Sequence, residues 1–87
     1  MIQLGNKIEL EGFEDIEPAA QIIVRKMIGT LARKIEETKG AYEKLKINKT
    51  ATTVSMKAEY AGNQIEGSAE HNNLFFAISG AFQQLLQ

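Results

Sequence analysis

Two neighbouring stretches alternate so regularly that they leave the chain little choice of local structure. Across Thr53–Tyr60, Val54, Met56, Ala58 and Tyr60 alternate with Thr53, Ser55, Lys57 and Glu59. Over residues 64–70, Ile65, Gly67 and Ala69 alternate with Gln64, Glu66, Ser68 and Glu70. A two-residue period sends the two sets to opposite faces of a strand. Gly62-Asn63 stands between the stretches and suits a tight hairpin turn. With these two residues as the turn, Tyr60 faces Ile65, Ala58 faces Gly67 and Met56 faces Ala69, so every apolar pair falls on one face. Residues 42–48 continue the pattern, with Leu45 and Ile47 opposite in sense to Lys44, Lys46 and Asn48. A four-residue loop at 49–52 sets Ile47 against Val54 and Leu45 against Met56. The same register sets Lys44 against Lys57, a like-charge pair that costs stability unless an acid neutralises it.

The rest of the chain supplies one more strand and two helices. Ile8 and Leu10 alternate with Glu9 and Glu11 ahead of Gly12, the pattern of a half-buried strand. Upstream, Ile2 and Leu4 before Gly5-Asn6 leave a short extra strand or arm open over residues 1–6. A long helix follows, capped by Asp15 or Glu17, with Pro18 in its first turn and Gly40 at its end. Its apolar stripe is Ile16, Ala20, Ile23, Val24, Met27, Ile28, Leu31 and Ile35. Roughly 20 helical residues between two strands fit a crossover joining parallel neighbours. In the closing helix, capped by Asn72 or Asn73, the apolar face is Leu74, Phe75, Ile78, Ala81, Phe82, Leu85 and Leu86. The expected fold is therefore α+β: β-α-β-β-β-α, a four-stranded mixed sheet with two helices on one face, forming a single domain over residues 1–87.

With 87 residues, no cysteine and one histidine, the chain has little equipment for catalysis or metal binding. No Cys–His or Ser–His–Asp set can be assembled around His71, and no glycine loop of the phosphate-cradling kind is present. We expect no enzyme, no cofactor and no metal. No apolar run approaches the ~18 residues of a membrane span. The opening Ile2-Gln3-Leu4-Gly5 does not read as a signal peptide, so a cytoplasmic protein is expected.

Charge is distributed unevenly behind a net charge of −1. Residues 25–49 hold eight basic residues (Arg25, Lys26, Arg33, Lys34, Lys39, Lys44, Lys46 and Lys49) against three acidic ones, a local balance of +5. The remainder holds two against eight, or −6. Lys44 and Lys46 belong to the open sheet face, where a parallel first strand brings Glu9 and Glu11 near them. On the long helix, Lys26 and Arg33 share an outward stripe with Ile22 and Gly29, with Arg25 alongside. An exposed isoleucine and a glycine flanked by cations suit close approach by a partner, either phosphate backbone or another protein. An ordinary charged helix surface, held by pairs such as Arg33–Glu37, remains the alternative.

Residues 53–86 resemble a known family. Thr53-Val54-Ser55-Met56-Lys57-Ala58-Glu59-Tyr60, Ile65-Glu66-Gly67-Ser68-Ala69-Glu70 and Asn72-Asn73-Leu74-Phe75-Phe76-Ala77-Ile78 resemble the paired strands, acidic Ala-Glu step and capped last helix of the ribosome hibernation-promoting factor and ribosome-associated inhibitor A family, the sigma modulation proteins. The Ile8–Glu11 strand and the long helix fit the same layout. The resemblance implies a small stress-response protein that binds the small ribosomal subunit or its RNA and blocks translation. Arg25, Lys26, Arg33 and Lys34 are the counterparts of its phosphate contacts, and Lys44, Lys46 and Lys49 are further candidates for nucleic-acid binding. The chain is divergent, because residues 74–87 contain no Lys or Arg. The last three strands and helix also resemble a double-stranded RNA-binding domain, but His71-Asn72-Asn73-Leu74 replaces its lysine-rich helix start. A second reading uses the same fold with no nucleic acid, as a protein-interaction module or homodimer. It would act through Ile22, Gly29, the amide-rich end at Gln83, Gln84 and Gln87, and a free strand edge.

Overall fold

The computed structural model describes residues 2–87, and its elements follow in the order β1 (Ile2–Leu4), β2 (Ile8–Glu11), α1 (Pro18–Lys39), β3 (Lys44–Thr50), β4 (Thr53–Tyr60), β5 (Asn63–Glu70) and α2 (Leu74–Leu86). The α+β class and the two helices are as expected, but the sheet has five strands and not four, in the order β1-β2-β3-β4-β5. The added strand, β1, pairs antiparallel with β2 and puts Ile2 opposite Leu10 and Leu4 opposite Ile8. Two apolar residues at a two-residue spacing were enough to make it an edge strand. Met1, at the start of that arm, lies outside the described residues. β2 and β3 are parallel neighbours joined by α1, while β3, β4 and β5 form an antiparallel meander.

Both hairpin registers differ from expectation by two residues. Ile47 faces Met56 and Leu45 faces Ala58, while Ala58 faces Ile65 and Met56 faces Gly67. The turns are Ala51-Thr52 and Ala61-Gly62, so β3 runs further before reversing and β4 reverses one residue sooner. Gly62 takes φ +77° at the second turn position, a conformation glycine adopts without penalty. Asn63 begins β5 instead of sharing the turn, and its side chain accepts a bond from the Gln64 amide (2.8 Å). A slip of two residues keeps every side chain on its expected face. It does change partners: Lys44 now opposes Glu59, and the like-charge pair is Lys46–Lys57.

One sheet face carries Leu10, Leu45, Ile47, Val54, Met56 and Ala58, all buried against the helices. α1 adds Val24, Ile28, Ala32 and Ile35, and α2 adds Ala77, Ile78, Ala81, Phe82 and Leu85. Ile23, expected in the α1 stripe, is 51% exposed, and Ala32 takes a core place instead. A helix advances about 100° per residue, so Ile23 falls at the border of a seam centred on Val24, Ile28 and Ile35. The N-terminus of α1 also departs from expectation, because Glu17 occupies the cap position without a side-chain capping bond. Instead the Gln21 side-chain amide reaches the carbonyls of Phe13, Glu14 and Ile16 (3.3–3.5 Å) and ties the preceding loop to the first turn. At the other end, the Gly40 amide donates to the Glu36 carbonyl (3.1 Å).

α2 sits closer to the sheet. A Cβ at Gly67 on β5 would collide with the backbone of Ala81, Gln84 and Leu85, and one at Gly80 would lie 2.8 Å from the Ala69 Cβ. Small residues on both elements let the helix backbone rest directly on the strand. Asn73 is the cap, accepting bonds from the amides of Phe75 (2.9 Å) and Phe76 (3.3 Å).

Candidate nucleic-acid interface

The seven candidate cations fall, as expected, into a helix group and a strand group, and the sheet lies between them. Arg25, Lys26, Arg33 and Lys34 are exposed on α1. Lys44 and Lys46 project from the opposite, open face of the sheet, in line with Glu9, Glu11, Asn48, Lys57 and Glu59 by their pairing. Lys49 shares the parity of Leu45 and Ile47, so it belongs to the helix side at the end of β3. The structure brings the α1 group together along one helix and separates it from the strand group.

The open face is polar and largely self-neutralised. It carries three lysines (Lys44, Lys46 and Lys57) and five glutamates (Glu9, Glu11, Glu59, Glu66 and Glu70). Lys44 Nζ lies 2.6 Å from Glu9, Lys46 Nζ 3.4 Å from Glu59 and Lys57 Nζ 3.7 Å from Glu66. The hydrogen bond from Lys44, opposed in part by desolvation, holds the Glu9 carboxyl below its usual range. The same bond, with the charge of Glu9, raises Lys44. A shallow groove of about 480 Å³ crosses this face between Lys46, Asn48, Ser55, Lys57, Glu66 and Ser68. Its cations already have carboxylate partners, so the like-charge cost of Lys46 beside Lys57 is met within the chain.

The outer face of α1 differs. None of its four cations forms an ion pair among the described residues, and the expected Arg33–Glu37 pair is absent there. At 100° per residue, Ile22, Lys26, Gly29 and Arg33 fall within about 60° of one another on the helix circumference. Ile22 is 61% exposed. Gly29 is exposed, and a Cβ built there would meet nothing within 4 Å. A mid-helix glycine costs roughly 0.5–1 kcal/mol relative to alanine, and packing within this chain gives no reason for it.

A third feature escaped the sequence reading. Phe76, in the first turn of α2, is 62% exposed. Its ring meets that of His71 edge-on, with centroids 5.1 Å apart and planes at 86°. The signal was its position: Phe76 is the one aromatic residue of α2 outside the helix's apolar stripe. Among the described residues no group of three acidic or histidine side chains gathers as a metal site, and no helix is long and apolar enough to cross a membrane. Neither the family models nor the curated proteins compared with this chain match it.

Proposed function

We propose that this protein is a non-catalytic, cytoplasmic RNA-binding domain that docks on the small ribosomal subunit or its RNA, in the manner of a hibernation factor. The reading rests on the α1 outer face: Arg25, Lys26 and Arg33, exposed and without ion pairs among the described residues, around a glycine that the fold does not require, with Lys34 exposed further round the helix. Cations that are not neutralised internally are free to displace counterions from phosphate, which drives nucleic-acid affinity. Gly29 then lets a phosphate backbone approach the helix axis between Lys26 and Arg33. The β-α-β-β-β-α order from β2 onward supports the resemblance in layout. Lys44 and Lys46, bound to Glu9 and Glu59, contribute less than α1 in this reading.

Co-sedimentation with ribosomal subunits across a salt series tests it. The protein is expected in the small-subunit fraction at low salt and to leave it steeply as salt rises. Arg25→Glu with Arg33→Glu should release it at every salt concentration. Absence from all ribosomal fractions at low salt would overturn the proposal. The exposed Ile22 favours one other reading, a homodimer or protein-interaction module using the same helix face. A stable dimer by light scattering that Ile22→Asp dissociates, in a protein that binds no RNA, would establish that alternative.

A further inference from the structure

Phe76 and His71 form a small aromatic surface at one end of the molecule, and its parts are held in place. The Asn73 side chain fixes the Phe76 amide, and the His71 amide donates to the Thr52 carbonyl (3.0 Å). His71 Nδ1 accepts the Asn73 backbone N–H at 2.9 Å. That bond assigns the proton of a neutral imidazole to Nε2, which has no hydrogen-bond partner among the described residues. In an edge-on pair at least one face of Phe76 remains uncovered, in keeping with its 62% exposure. The site thus offers a solvent-facing π surface next to an oriented N–H donor.

Topology places this surface at the same end as the start of the basic helix. β3 and β5 run in one direction, and α1 and α2 both run back against it, so the two helices are parallel and in contact. Phe76, in the first turn of α2, and Arg25 and Lys26, in the third turn of α1, therefore both lie in the halves of their helices that point toward the same end of the molecule. Basic side chains for phosphate on one helix, and an open aromatic with an edge donor on the helix it contacts, match a nucleotide whose base is unpaired.

We infer that Phe76 and His71 form a stacking platform for an unpaired nucleobase, so that the RNA held by α1 is read at a single-stranded position. This rests on the RNA-binding function proposed above and specifies its substrate as a loop, bulge or end in place of a continuous duplex. Base–aromatic stacking tolerates any base, so the platform selects for unpaired structure more than for sequence.

Fluorescence anisotropy with two labelled RNAs tests this: a hairpin carrying an unpaired loop, and a fully paired duplex of equal length. Phe76→Leu should weaken hairpin binding by roughly 5- to 150-fold, leave duplex binding within about twofold, and leave the salt slope unchanged because no phosphate contact is lost. Phe76→Trp should retain hairpin affinity. Phe76 is exposed, so an unchanged thermal midpoint for both variants is the folding control. If Phe76→Leu weakens both RNAs equally or neither, while Arg25→Glu with Arg33→Glu weakens both, the platform is wrong and the α1 interface stands. If the wild-type protein binds neither RNA, both proposals fall. If Phe76→Leu dissociates a dimer without changing RNA affinity, the ring is a protein anchor and the platform is overturned.

Discussion

The two helices cover the same sheet by different physical means. α2 has no charged residue and rests with its backbone against β5, through Gly67 and Ala69 on the strand and Gly80 and Ala81 on the helix. α1 uses larger side chains (Val24, Ile28 and Ile35) and leaves its outer half to charge. Each helix has a glycine in its interior, with opposite meanings. Gly80 is needed because its neighbour leaves no room for a side chain, whereas Gly29 has open space on all sides. The fold explains the first glycine and gives no reason for the second, which the proposed α1 interface would use. α2 serves the core, and α1 is available for binding.

Substituting these residues tests that contrast, and the largest effect is expected at the tight contact. Gly67→Ala would drive a methyl into the α2 backbone, where no flexible side chain can yield. A loss of about 3 kcal/mol is expected. At about 4–8 °C per kcal/mol for a domain of this size, the thermal midpoint should fall by more than about 10 °C. A near-neutral result would mean that α2 is not seated on β5 as described. Next in size is Asn73→Ala, which removes the acceptor for two amides at the start of α2 and should cost about 1 kcal/mol in urea unfolding. Gly29→Ala should have the opposite sign, stabilising the protein by roughly 0.5–1 kcal/mol while weakening RNA binding. Stabilisation with unchanged binding would remove the functional reading of this glycine.

The smallest effect belongs to the open sheet face, the region that resembles neither helix. Glu9 has a lowered folded-state pKa, so its contribution is complete above its ordinary value of 4.5 and is lost as pH falls through the folded value. Lys44 has a raised one, so its share is complete below 10.5 and is lost as pH rises through the folded value. Glu9→Gln should therefore lower stability slightly between those limits and flatten the acid limb of a stability–pH profile. An unaltered acid limb would show that the Glu9–Lys44 bond contributes nothing measurable, as many exposed pairs do.

Face assignments were legible in the sequence because they depend only on a two-residue period; Leu45, Ile47, Val54, Met56 and Ala58 all point as expected. Registers were less legible, because slips of two residues preserve the faces and only the turn decides between them. There Ala61-Gly62 was chosen over Gly62-Asn63, with the positive φ at Gly62. β1 was only half visible, since a three-residue strand carries too few alternations to stand out. Outward placement of Ile22, Lys26, Gly29 and Arg33 followed from helical spacing alone. The parallel crossover already brought Glu9 near Lys44; what spacing could not supply was the pairing of Lys46 with Glu59, which depends on the β3–β4 register. The Phe76–His71 contact was hidden for a similar reason: it spans a strand end and a helix start, where no single period applies.

The central claim is that α1, and not the open sheet face, carries RNA affinity. Charge-neutralising pairs on the two surfaces separate these directly: Arg25→Gln with Arg33→Gln, and Lys44→Gln with Lys46→Gln, each titrated with the same structured RNA across a salt series. The expected result is a loss of affinity and a shallower log K against log salt for the helix variant, by about 0.7–0.9 per lost phosphate contact, with little change for the strand variant. Equal losses for both, or a larger loss for the strand variant, would contradict it.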